Sequence, residues 1–276
     1  MIRLILLPAF LLVVNQLRSQ EHSLVKLWET DTLLKVPESV LLDAGNNVLY
    51  ATNIDGTDPW AKDGKGSIAK VNLYGKILDA EWIKGLNSPK GMALYKNILY
   101  VADLDKIVLI DVMKGTIEKE ITVEGAAGLN DVTINKDGIV FVTDSKGKKL
   151  YRIENGVPAV FIENLKGPNG VLAHQQDLYI LDAGGAYKVN PDKTLSMITD
   201  GMEGGTDGIE HVTGNDFIVS CWGGVVYYLK SDGTKEKLLD TREQKINSAD
   251  IGYDAVNRIV YVPTFWKNSI VAYNLR

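Results

Sequence analysis

The chain has 276 residues, 45% of them hydrophobic, enough for one large domain or two small ones. Its formal net charge is −5, and an acidic chain lacks the basic contacts to phosphate on which nucleic-acid affinity depends. Cys221 is the sole cysteine, which excludes an internal disulfide and a cysteine-built zinc site.

The first element is at the N-terminus. Arg3 gives a basic start, Leu4–Val14 is an apolar run of 11 residues, and Asn15–Gln20 is a polar exit. The run is short for a bilayer span and suits a signal peptide over residues 1–20. A tidy A-x-A cleavage site is absent, and a short N-terminal anchor is the competing account. Removing residues 1–20 takes Arg3 and Arg18 away and brings the net charge from −5 to −7. No later segment is long and apolar enough to span a membrane. The expectation is an exported protein, periplasmic or secreted, monomeric, with a small-molecule partner and one domain over residues 21–276.

A repeat follows. Glu38, Lys90, Asn130, Asn169, Asp207 and Ala249 occupy one recurring position, at intervals of 52, 40, 39, 38 and 42 residues. About ten to twelve residues after each comes a strand-like run: NVLYATN, NILYVAD, GIVFVTD, DLYILD, DFIVSC and RIVYVPT. A third run rich in Val, Ile and Tyr follows in every copy, bounded by Gly, Asn and Asp, and no long segment has helical periodicity. Six repeats of about 40 residues with four short strands each predict an all-β, six-bladed β-propeller. The last copy ends one strand short, while SLVKLWET, residues 23–30, has no blade of its own. It is expected to close blade six against the strand around residues 269–274 and so remove an open sheet edge.

The recurring position is then the start of each innermost strand, and six such starts converge on one end of the central tunnel. Glu38, Asn130, Asn169 and Asp207 bring two carboxylates and two amide oxygens there, a donor set for a hard cation. Calcium takes six to eight oxygen ligands and tolerates irregular geometry, whereas zinc prefers His or Cys. Gly170 and Gly208, beside these residues, are read as allowing a tight backbone turn. The competing account is that each Asn or Asp caps a turn where a loop meets a strand. Asp103, Asp144 and Asp182 recur at the ends of second strands and are read that way. His174 and His211 are read as packed or hydrogen-bonded residues. The first repeat is about twelve residues longer than its neighbours, and the excess lies in residues 53–67. Trp60 in that loop is a candidate lid over the tunnel mouth or a staple packing on its own blade. The DGKG in the same loop lacks the Walker pattern. Lys90 is expected to bind an anionic substrate group, to pair with Glu38, or to snorkel to solvent.

At these residues the chain resembles the gluconolactonase/senescence-marker-protein family of six-bladed propellers, over roughly residues 35–275. The resemblance rests on Glu38 in the first repeat, Asn130 before Asp131 in the third, Asn169 before Gly170 in the fourth and Asp207 before Gly208 in the fifth. The segment VSCWGGVVYYLKSDG is also similar to the family's fifth blade. Calcium phosphotriesterases and paraoxonases are related, with a similar metal arrangement. The resemblance implies a divalent metal, often calcium, at the tunnel mouth, polarising a lactone carbonyl for attack by water. It implies Glu38, Asn169 and Asp207 as metal ligands, and Asn130 as a ligand or a holder of substrate or water. It also implies Asp207 as the catalytic general base, a role that tight coordination would oppose by depressing the carboxylate pKa. The sequence departs from the family at Gly128, where sugar-lactone members commonly carry Arg. It departs again in PESVLL, which replaces the usual Pro and Trp after the first-repeat Glu.

Two functions compete on this reading. One is an exported metal-dependent hydrolase of a lactone or related ester; the other is a non-catalytic propeller that binds a ligand or partner, with a structural metal. A strictosidine-synthase-like condensation would need a catalytic glutamate that the sequence does not identify.

Overall fold

The computed structural model describes residues 21–276; the signal-peptide expectation over residues 1–20 lies outside them. Six four-stranded antiparallel sheets surround a central axis. Blade 1 holds Pro37–Asp43, Val48–Asn53, Gly66–Asn72 and Ile77–Leu86, innermost strand first. Blade 2 holds Pro89–Tyr95, Ile98–Asp103, Lys106–Asp111 and Thr116–Thr122. Blade 3 holds Leu129–Ile134, Val140–Asp144, Lys149–Glu154 and Val157–Ile162. Blade 4 runs Pro168–His174, Asp177–Asp182, Gly185–Val189 and Leu195–Thr199, and blade 5 runs Thr206–Thr213, Asp216–Cys221, Val225–Leu229 and Lys235–Asp240. Among the described residues the helical content is one short 3-10 turn, Phe265–Lys267.

Blade 6 draws on both ends of the described chain. Its strands Gly252–Asp254, Ile259–Pro263 and Ile270–Leu275 are completed by Leu24–Glu29 as the outermost strand. Leu24 lies opposite Leu275 and Glu29 opposite Val271, the closure anticipated from the orphan segment. Beyond this ladder, Ser23 and Arg276 exchange a pair of backbone hydrogen bonds, each 2.9 Å.

The core repeats with the blades. Alternating Val, Ile, Leu and Tyr put one face of each sheet against the next blade. Blades 1 and 2 share a buried cluster that includes Tyr50, Ile68, Val101 and Ile110. Equivalent clusters join blades 2 and 3, 3 and 4, 4 and 5, 5 and 6, and 6 and 1. The inner strands therefore have fixed neighbours on both sides, and the residues at their starts are held rigidly around the axis. No helix among the described residues is long and apolar enough to cross a membrane.

Candidate functional site at the tunnel mouth

Five of the six recurring residues stand second in their inner strands: Glu38, Lys90, Asn130, Asn169 and Asp207. Ala249 precedes the shortened inner strand of blade 6, where Ser39 and Asp250 form an isolated parallel bridge. The loops leading to these starts are fixed by the aspartates that end the second strands. Asp103 accepts the backbone N–H groups of Asn87 and Ser88, and Asp182 those of Lys166 and Gly167. Asp144 accepts those of Ala127, Gly128 and Gly147. The turn-bonding role read from the sequence is thus borne out, with a consequence: each aspartate holds the backbone two and three residues ahead of Lys90, Asn130 or Asn169.

The mouth is buried and electrically mixed. Glu38, Asp207 and Lys90 are 4%, 3% and 2% exposed. Lys90 Nζ lies 3.5 Å from Glu38 Oε1. This is the pairing option among those raised by the sequence, and burial rules out the snorkelling one. The Asn169 side chain stands next to the Asp207 carboxylate. Burial raises the pKa of Asp207 well above the ordinary carboxylate range, with the charges of Glu38 and Asp250 adding to the shift. Burial likewise raises that of Glu38, against the pull of Lys90. The Asn130 amide donates to Ser145 Oγ at 2.9 Å, and that hydroxyl donates to the Pro168 carbonyl at 2.6 Å. Two buried acceptors, Glu38 Oε2 and Asn169 Oδ1, have no hydrogen-bond partner. An unsatisfied buried acceptor costs about 1–3 kcal/mol, so a cation or donor is the natural complement of this pair. The donor set of two carboxylates and two amides suits an oxygen-seeking divalent cation.

Trp60 is part-exposed at the same mouth. It lines a cleft of 390 Å³ together with Asn130, Ser145, Pro168, Asn169 and Met202. Its ring lies 4.4 Å from Lys90 Nζ and 4.6 Å from Lys146 Nζ. Gly128 makes this arrangement possible: a Cβ there would stand 2.8 Å from Trp60 Cζ3 and 3.0 Å from Lys146 Cδ. The tryptophan and Lys146 fill the space that a side chain at residue 128 would claim. The sequence reading had no signal for Lys146.

Two expectations are corrected or extended. Gly170 and Gly208 do not serve turn conformations, since neither has a positive φ. They serve close approach between inner strands. A Cβ on Gly170 would overlap the Asp207 carbonyl, and one on Gly208 would overlap the Asp250 carboxylate and reach 2.7 Å from Ile251 N. Beneath the mouth lies a second tier of acids that the repeat did not reveal. Asp131, Glu210 and Asp250 line a 170 Å³ tunnel cavity with Ser39 and Thr133. Asp131 accepts the N–H groups of Val132 and Val171, each at 2.7 Å, and Asp250 accepts Ser39 Oγ at 2.6 Å. Burial, reinforced by Asp250, pushes Glu210 up to about 8. His174 and His211 are away from the mouth, stacked with ring centroids 3.6 Å apart, and His211 Nε2 meets the Gly214 carbonyl at 3.0 Å. Glu21, His22 and Glu236 form a separate group on the outside, already bridged by Lys230.

No family model matches the sequence, and no curated protein does. Solved structures do share its fold. A gluconolactonase from Xanthomonas campestris aligns over 92% of this chain and 89% of its own, with a TM-score of 0.68 and 16% identity. A catalytically inactive histidine-to-alanine variant of virginiamycin B lyase from Staphylococcus aureus, bound to quinupristin, aligns over 92% and 99%, with a TM-score of 0.65 and 14% identity. A nidogen/laminin complex aligns over 79% and 84%, with a TM-score of 0.66 and 20% identity. At these identities the likeness is one of fold.

Proposed function

We propose that this propeller is an exported, divalent-cation-dependent hydrolase of lactones or related esters, acting at the tunnel mouth. The observation that carries the reading is the pair of buried, partnerless oxygens, Glu38 Oε2 and Asn169 Oδ1, beside Asp207 at the end of one tunnel. A bound divalent cation, calcium by its preference for many oxygens, would polarise the ester carbonyl and stabilise the oxyanion formed on it. Glu38, Asn169 and Asp207 would hold that cation. Asn130, fixed through Ser145, orients substrate or water. Trp60 covers one side of the cleft and limits water around the reacting ester. Asp207 takes a proton from the attacking water as the new C–O bond forms, and returns it to the leaving alkoxide as the acyl C–O bond breaks.

Two features favour hydrolysis over the alternatives. Virginiamycin B lyase loses catalysis when one histidine is replaced; here His174 and His211 stack away from the mouth, so a histidine-driven elimination has no such residue at hand. A purely structural cation would suit a plugged mouth, and the 390 Å³ cleft beside Asn130 and Asn169 is open enough for a small molecule. The test is turnover of a lactone and ester panel with calcium or with chelator, by wild type and Asp207→Ala. The expected result is activity that chelator and Asp207→Ala each reduce at least a hundredfold. Full activity in Asp207→Ala, or no turnover of any member with calcium, refutes the proposal; calcium binding without turnover returns the site to the non-catalytic reading.

A further inference from the structure

Lys90 sits at the recurring position where four other blades place an oxygen donor: Glu38, Asn130, Asn169 and Asp207. Among the described residues it is the only lysine or arginine that is buried, at 2% exposure. The remaining lysine and arginine ion pairs, such as Lys35–Glu81 and Lys188–Asp177, engage side chains that keep solvent exposure. The Trp60 ring, 4.4 Å from its Nζ, stands against the ammonium, and Glu38 Oε1 holds it at 3.5 Å.

We infer that Lys90 is a tethered cation that competes with the divalent cation for the carboxylates of the mouth, Glu38 first, and so sets the affinity of the site. The inference rests on the metal reading above. Two observations meet in it. If the ring served the ammonium alone, Glu38 Oε2 and Asn169 Oδ1 would not be left without partners. If it served a divalent cation alone, a buried positive charge 3.5 Å from one of the ligand oxygens would be a defect, because like charges a few ångströms apart repel strongly where salt cannot screen them. A lysine that neutralises Glu38 in the empty ring, and must give up that oxygen when the cation arrives, accounts for both.

The experiment is calorimetric titration of calcium chloride into wild type, Lys90→Met, Lys90→Gln and the double variant Lys90→Met/Glu38→Gln, with no substrate present. Methionine keeps the length and the contact with Trp60 while removing the charge; glutamine provides a second neutral side chain, and far-ultraviolet circular dichroism checks that each variant is folded. The expected result is that either neutral variant binds calcium at least tenfold more tightly than wild type, and that Glu38→Gln removes the gain. A change of less than tenfold in a folded neutral variant, with wild type binding, overturns the inference and leaves the metal site intact. A gain that survives Glu38→Gln overturns it by locating the binding elsewhere. No binding to any variant overturns both the inference and the metal reading.

Discussion

Glu210 offers a quantitative test of the tunnel electrostatics. Burial and the neighbouring Asp250 push its carboxyl up to about 8, against an ordinary value of 4.5. Between those values the folded protein keeps a proton that the unfolded chain has released. Stability therefore falls as pH rises through that window, and the loss is complete above the folded pKa. A shift of about 3.5 units at about 1.4 kcal/mol per unit sets an upper limit of about 5 kcal/mol. The side chain is only part-buried and faces the 170 Å³ tunnel cavity, so roughly half of that, about 2–3 kcal/mol, is the reasonable expectation. Glu210→Gln keeps the shape and removes the charge. At pH 8.5 it should melt higher than wild type by about 5 °C, at roughly 2 °C per kcal/mol for a chain of this size. Below pH 4.5 the two melting curves should coincide. The assay is thermal unfolding followed by circular dichroism from pH 4 to 8.5, in chelator so that no cation alters the tunnel charge. Parallel curves across the whole range, or a less stable variant at pH 8.5, would show that Glu210 is not a strained acid and would refute the reasoning.

Two further outcomes follow from the geometry of the inner strands. Gly208→Ala forces a methyl group against the Asp250 carboxylate and the Ile251 backbone, and should cost about 1–3 kcal/mol by overpacking; a melting temperature within 1 °C of wild type would contradict the close approach. Asp144→Ala strands three backbone donors, at Ala127, Gly128 and Gly147. It should destabilise by about 3 kcal/mol and raise KM more than it lowers kcat on any ester the wild type hydrolyses, because Asn130 loses its fixed backbone; unchanged stability with unchanged KM would refute that support role.

The blades were legible because a propeller writes one strand plan six times, and a hydrophobic run recurring at a steady interval survives divergence in individual residues. The closing strand was legible for the same reason, as a remainder when the count was made. The upper ring could be read because four blades repeat an oxygen-bearing side chain at one position. Of the lower tier, Asp131 was marked only as the neighbour of Asn130, and Asp250 and Glu210 were not marked at all. Asp250 follows Ala249, an apolar residue at the recurring position, in the blade whose inner strand is cut to Gly252–Asp254. Glu210 stands three residues beyond Asp207, where no other repeat marks the place. The glycines misled because sequence alone does not separate a glycine needed for a left-handed backbone from one needed so that the neighbouring strand can come close. Lys146 was invisible because its meeting with Trp60 joins blade 1 to blade 3 through a loop.

The clasp between Ser23 and Arg276 has a mechanical meaning. Leu24 pairs with Leu275 at the foot of blade 6, while Glu29 and Val271 meet nearer the end that leads on to Glu38. The two described ends therefore leave the ring side by side, on the face opposite the mouth. A pull applied through them loads the Ser23–Arg276 hydrogen bonds first and then the ladder one pair at a time, as a zip opens, instead of shearing all pairs together. The ring should give way at low force from this seam. By the same geometry, a bead or linker attached at Arg276 or next to Ser23 stands on the face away from the cleft at Trp60 and Asn169.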